Sequence, residues 1–190
     1  MVVLAAEFGA LGIGFAFLKQ TKLLVVFDYG IISLMPTLKK LFDIPEPEMG
    51  APQPFVLASE YSLSICYHQA KASFYQGEIV TDDAIKGKPD LVSILRFKYP
   101  QIFKFGNPNE DEQPLHPLAE IGLMDFYAFE VEESNWANRS LAGEYINKHF
   151  IILFHDSAFE IVADSYSMRS IVTEFILDAC QDVIDNWPDE

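Results

Sequence analysis

The chain has 190 residues, half of them hydrophobic, a length that suits one domain with a proper core. Its net charge of -15 argues against nucleic acid and anionic lipid as ligands, because a surface of that sign repels phosphate. The only two cysteines, Cys66 and Cys180, are spaced neither as a zinc knuckle nor as a redox pair, so we expect a reduced, cytoplasmic protein.

The first apolar run is the most ambiguous part of the chain. Residues 2–18 are apolar or glycine apart from Glu7, which is close to the shortest length that crosses a bilayer. Three interpretations stay open for residues 1–48: a membrane anchor, a buried helix or strand, or a non-native extension. If residues 2–18 are an anchor, the protein is tethered to a membrane.

A proline-rich stretch follows, IPEPEMGAPQP at 44–54, and is typical of an extended linker. We place the linker itself at 49–54 and a single domain at 55–190. A chain that begins at Met49 is therefore expected to fold. Upstream, TLKKLFD favours a short helix, whereas KLLVVFDYGII fits a strand or a buried run equally well.

From Phe55 onward the alternation of a half-buried strand is clear. In YSLSICYHQ, the side chains of Leu63, Ile65 and Tyr67 share one face and Cys66 lies on the other. FVLAS before it, LVSILRFKYP after it and DFYAFEV further on are also predicted strands, and FGNPNEDEQP is predicted to be a loop.

Two helices are predicted in the C-terminal half. Ser134 can cap a helix that runs through Trp136 and Tyr145. The final helix, at about 168–186, has one apolar stripe with acidic residues opposite. Together these patterns predict an α+β fold, an antiparallel sheet of five or more strands with the C-terminal helix packed on one face.

The run HFIILFHDSAFEIVAD, at 149–164, predicts a hairpin. If Ser157 and Ala158 are the central turn residues, His155 lies opposite Glu160, and the two side chains can form a pair that raises the pKa of the histidine. Ser-Ala lacks the glycine or asparagine that tight turns prefer, so a longer loop with a shifted register is the alternative.

The ordered landmarks of this region resemble an uncharacterised bacterial protein family. They are FKFGNPNEDEQPLHPLAEIGL, YAFEVEESNW and HFIILFHDSAFEIVA, and the resemblance covers roughly Phe55 to Asp164. Where that family has a cysteine soon after the FE pair, this chain has Ile161, so no role for such a thiol is implied. The resemblance implies a domain boundary and no activity.

Enzyme motifs are absent from the sequence. No HExxH, CxxC, GxSxG or P-loop spacing occurs, and we expect no cofactor and no metal. The candidates for catalysis are His116, His155 and Glu160, which would make a small hydrolase, with metal assistance if the side chains converge in a pocket.

A binding domain is our leading functional prediction. From Gly106 onward there are 18 acidic residues and three basic ones, so this part of the chain suits a basic protein partner, as an immunity protein does, although plain solubility explains the charge without any partner. Trp136, Asn135 and Arg139 are the predicted binding residues, because Trp and Arg most often anchor interfaces.

Overall fold

The computed structural model describes residues 35–50, 53–71, 86–138 and 147–187 in full, and the backbone of four earlier strands. Those strands are β1 (Leu4–Phe8), β2 (Ile13–Leu18), β3 (Lys22–Val26) and β4 (Ile32–Leu34), and they form an antiparallel sheet in chain order. Residues 2–18 thus contain two strands, and the burial of their side chains lies outside the described residues. No helix in the described part of the chain has the length and apolar character to span a membrane.

A five-stranded antiparallel sheet forms the centre of the remaining chain. Its order is β5-β10-β11-β12-β9. The strands are β5 (Thr37–Lys40), β9 (Ile102–Gly106), β10 (Ala128–Glu132), β11 (Lys148–Leu153) and β12 (Ala158–Ala163). The predicted short helix at TLKK is wrong, because this segment pairs along β10 as an edge strand.

A four-stranded antiparallel sheet, in the order β13-β8-β7-β6, packs against the five-stranded one. Its strands are β6 (Phe55–Ala58), β7 (Ser62–His68), β8 (Leu91–Lys98) and β13 (Ser165–Val172). The core between the sheets contains Phe97, Phe150 and Phe159, together with Leu41 and Ile44 from the segment before the linker. Residues upstream of Met49 therefore contribute both a strand and core side chains.

The C-terminal helix α2 (Ile176–Asp185) covers the other face of the four-stranded sheet. Cys66, Ala179, Cys180 and Val183 are buried in this contact. The α+β prediction is confirmed, but the helix begins at Ile176 and not at about 168. Residues 165–172 instead pair with β8 along their whole length, and this pairing overrides the local helical pattern.

The predicted alternation of β7 is confirmed, with one difference. Leu63, Ile65 and Tyr67 face the core between the sheets, and Cys66 faces the helix. Every residue of β7 is buried, and Cys66, on the face opposite the core between the sheets, packs against α2.

Candidate functional site

The outer face of the five-stranded sheet is covered by residues 107–127 and by the short helix α1 (Asn135–Asn138). The covering segment contains two 3-10 helices, Gln113–Leu115 and Ala119–Ile121. Apolar side chains from both layers pack together here; they are Leu118, Leu123, Tyr127, Phe129, Val131, Ile151, Leu153 and Ala158. A connected group of polar side chains lies among them.

Glu160 of β12 is the centre of this polar group and is only 8% exposed. Its Oε1 lies 3.4 Å from Nε2 of His116 in the covering segment, and its Oε2 lies 3.1 Å from Nε2 of His149 on β11. Nζ of Lys104 on β9 lies 3.3 Å from Oε1. One carboxylate thus joins two strands of the sheet to the segment that covers it.

Hydrogen bonds fix the tautomer of both histidines. The backbone N–H of Leu118 donates to Nδ1 of His116 at 3.1 Å, and a backbone N–H can only donate, so Nδ1 is an acceptor and Nε2 carries the proton. Each imidazole then donates through Nε2 to Glu160, provided that His149 also receives a donor at Nδ1.

Ser134 supplies that second donor. Its Oγ accepts hydrogen bonds from the backbone N–H of Trp136 at 3.1 Å and of Ala137 at 3.3 Å, which confirms the predicted helix cap. With its oxygen used as an acceptor, the hydroxyl proton is free to donate to Nδ1 of His149, 2.9 Å away. We call Ser134, His149, Glu160 and His116 the polar network. Each ring nitrogen of its two histidines has a hydrogen-bond partner.

The charge of Glu160 is stabilised despite its position. Burial raises the pKa of this carboxyl, but hydrogen bonds from His116 and His149 and the charge of Lys104 outweigh burial, so the pKa lies well below its ordinary value. Glu160 is therefore an anion at neutral pH.

The polar network differs from a nucleophilic site in two respects. A serine nucleophile needs an exposed oxygen beside its base, whereas Ser134 is 5% exposed and its Oγ caps α1. Each ring nitrogen of His116 and His149 already has a partner within the protein. The geometry fits a structural connection between layers.

The predicted pair of His155 with Glu160 is wrong. The hairpin turn is centred on His155 and Asp156, with the N–H of Phe154 donating to the Ser157 carbonyl at 2.8 Å, two residues earlier than expected. Ile151 lies opposite Glu160 as a result. The three candidates for catalysis are therefore divided, with His116 at Glu160 and His155 elsewhere.

His155 instead lies among acidic residues at the turn between β11 and β12. Nδ1 of His155 lies 2.8 Å from Oε2 of Glu110, and Nε2 lies 3.8 Å from Oδ1 of Asp156. Asp111 also acts on the histidine, and Asp125 lies close enough to Glu110 to be affected by its charge. We call Glu110, Asp111, Asp125 and Asp156 the acidic cluster.

The close carboxylates change the pKa of two groups in the acidic cluster region. The contact with Glu110 and the neighbouring aspartates raise the pKa of His155. Burial and the charge of Glu110 raise the pKa of Asp125. Negative charge is thus concentrated here beyond what the one histidine balances.

No family model, curated protein or solved structure matches the chain. Family membership therefore stays a prediction that depends on the ordered landmarks alone.

The predicted binding residues are only partly described. Trp136 is half-buried, its ring lies edge-on to His149 at 4.9 Å, and Nζ of Lys104 lies 4.6 Å from its centroid. Asn135 is exposed at the start of α1, and Arg139 lies outside the described residues. Trp136 thus has a packing role next to the polar network.

Sequence patterns indicate only part of this arrangement. The alternation of 149–155 correctly places His149, Ile151 and Leu153 on one face, but the partner of Glu160 depends on the register. Lys104 lies in β9, which none of the predicted strands covers and whose last two residues are predicted to be loop. In the described part of the chain, no three His, Cys, Asp or Glu side chains are arranged to hold a metal ion.

Proposed function

We propose that this chain is a non-enzymatic binding domain for a basic protein partner, in the manner of an immunity protein. The observation that carries the proposal is the acidic cluster. Within the described part of the chain, no lysine or arginine forms an ion pair with any of its four carboxylates, and the ionic contacts of Glu110 and Asp156 are both with His155.

Like charges held close together favour a cationic ligand. Burial first, and then the charge of Glu110, raise the pKa of Asp125, so a second anion beside Glu110 is disfavoured. A lysine or arginine from a partner would lower the energy of both carboxylates. Such complementarity increases the association rate and suppresses partners of the wrong charge.

The acidic face of α2 supports the proposal less strongly, because its carboxylates already have local partners. Arg169 pairs with Asp182, Thr173 Oγ1 donates to Asp178 at 2.6 Å, and Gln181 donates to Asp185 at 2.7 Å. The α2 face therefore serves as an internal control for the acidic cluster.

The hydrolase alternative gains no support from the geometry. His116 has a partner at each ring nitrogen, Glu160 accepts from His116 and His149, and His155 contacts the acidic cluster. A bound substrate would have to displace these contacts before either residue could act as acid or base.

A displayed library of random peptides, selected on the full chain, tests the proposal without knowledge of the partner. We expect the selected peptides to be rich in lysine and arginine and their binding to weaken as salt is raised. The double substitution Asp111→Lys and Asp156→Lys should abolish binding, whereas Asp178→Lys should leave it nearly unchanged. Selection of neutral or acidic peptides, or equal loss in both variants, would overturn the proposal.

A further inference from the structure

Strand β9 lies at the edge of the five-stranded sheet and is paired on one side only. Within the described part of the chain, its sole strand neighbour is β12, with Ile161 opposite Phe103 and Phe159 opposite Phe105. The other edge of β9 therefore presents backbone groups that a further strand could pair with.

The hydrogen-bond pattern shows which backbone groups these are. The N–H of Leu153 donates to the Tyr127 carbonyl and the N–H of Phe154 to the Ser157 carbonyl, so odd-numbered residues of β11 face β10 and even-numbered ones face β12. Antiparallel strands alternate, so residues 158, 160 and 162 of β12 direct their backbone groups toward β9. Lys104 is then bonded inward, and the N–H and C=O groups of Phe103 and Phe105 point away from the sheet.

The side chains of β9 do not protect this edge. Ile102, Phe103 and Phe105 are 46%, 43% and 40% exposed. Natural edge strands are usually blocked by charge or proline. The one charged residue, Lys104, directs its ammonium back across the sheet to Glu160 and Trp136.

The opposite edge of the same sheet is built differently. Strand β5 has the sequence TLKK, with Lys39 and Lys40 at adjacent positions, and Nζ of Lys39 lies 3.5 Å from Glu130. Two of the four residues of β5 are thus lysines, whereas β9 has one lysine among three large apolar side chains.

The acidic cluster lies at one end of the β9 edge. Gly106, the last residue of β9, is opposite Ala158, which directly follows the hairpin turn that contains Asp156. The backbone N–H of Glu110 donates to the His155 carbonyl at 3.0 Å, which holds the loop after β9 against that turn. The end of β9 at Gly106 is therefore the end that lies nearer to the carboxylates.

We propose that β9 accepts an extended segment of the basic partner as an additional strand of the five-stranded sheet. The segment that fits has apolar residues at alternate positions, beside Phe103 and Phe105, and lysine or arginine at the end that lies next to Gly106. Main-chain hydrogen bonds to Phe103 and Phe105 provide affinity, and the acidic cluster determines in which direction the segment runs along β9. The charge of the segment rests on the proposed function; strand addition rests on the edge itself.

The test uses the full chain and two short synthetic peptides of alternating valine and threonine, one ending in lysines and the other in glutamates. Hydrogen exchange should show the amides of Phe103 and Phe105 unprotected in the free protein and protected when the lysine peptide is bound. Phe105→Pro removes an outward N–H without breaking a bond to β12, and Phe105→Val is its matched control of similar size. We expect the proline variant to bind about tenfold more weakly than the valine variant.

The outcomes separate the two proposals. Binding of the lysine peptide without protection of these amides, and with equal affinity for the Pro and Val variants, would overturn strand addition and leave the basic partner standing. Equal binding of both peptides at the protected edge would overturn the basic partner and support strand addition. Protection of the same amides in the free protein with concentration-dependent dimers would show that a second copy occupies β9, which also overturns the inference, as does failure of both peptides to bind.

Discussion

Glu160→Gln is the sharpest perturbation of the polar network. Glutamine keeps the shape of the side chain but offers one acceptor and one donor where the carboxylate offers two acceptors. Both His116 and His149 present an Nε2 proton to residue 160, at 3.4 and 3.1 Å. One of them must therefore face the amide N–H₂ of the variant, donor against donor.

Neither histidine can avoid this contact between two donors by changing its tautomer without losing another hydrogen bond. A proton on Nδ1 of His116 would face the N–H of Leu118, and a proton on Nδ1 of His149 would require the hydroxyl of Ser134 to give up its donor role. One buried donor left unsatisfied costs about 1–3 kcal/mol. The lost ion pair with the largely exposed Lys104 adds at most about 1 kcal/mol. We expect Glu160→Gln to lower the free energy of unfolding by about 1–4 kcal/mol.

Denaturant unfolding at pH 7, followed by tryptophan fluorescence, measures this difference. Glu120→Gln, the same chemical change at an exposed position of the covering segment, should shift stability by less than about 0.5 kcal/mol.

The effect of Glu160→Gln on stability should also depend on pH, because the folded pKa of Glu160 lies below its ordinary value of 4.5. Its stabilisation is present above that value and is lost as pH falls through the folded pKa, so the deficit of the variant should shrink in acid. Equal unfolding midpoints at pH 7, or a deficit that does not change with pH, would refute the network.

Three further predictions concern other parts of the chain. NMR titration of His155 should give a pKa above 6.5, and this pKa should fall in Glu110→Gln. The contact of protonated His155 with Glu110 stabilises the fold fully below pH 6.5, and this stabilisation is lost as pH rises through the folded pKa. An unchanged titration in the variant would contradict the contact. Burial raises the pKa of Cys66 to about 12 and raises that of Cys180, so both thiols should react with a disulfide reagent only after unfolding, and rapid reaction of the native protein would show that they are accessible. A chain that begins at Met49 lacks β5 and two core side chains, so circular dichroism should show it unfolding at lower denaturant than the full chain; equal midpoints would mean that the upstream segment adds no stability.

Local patterns in the sequence correctly indicate several elements of the fold. The alternation of Leu63, Ile65 and Tyr67 predicts which side of β7 faces the core between the sheets. Ser134 is correctly predicted to cap a helix, because capping depends on a hydroxyl and on N–H groups two and three residues away. Such features are determined within a few residues of chain.

Where a segment fits both a helix and a strand, the strands that lie beside it in the fold decide which structure forms. Residues 168–172 fit the apolar stripe of a helix, yet Met168 pairs with Leu95 and Val172 with Leu91 in a strand. The short segment TLKK has no helix because β10 offers it a partner along its whole length. Tertiary pairing overrides local preference in both cases.

The sequence by itself determined that polar residues 149, 155 and 160 lie in one hairpin, and that His149 and Glu160 belong to alternating strands. The tertiary structure alone decided that Glu160 meets His149 and His116, and that His155 joins Glu110 in the acidic cluster. The physical reason is that a shift of two residues in the turn leaves every side chain on its original face of the sheet but gives it a new neighbour, and nothing in the local alternation distinguishes the two registers.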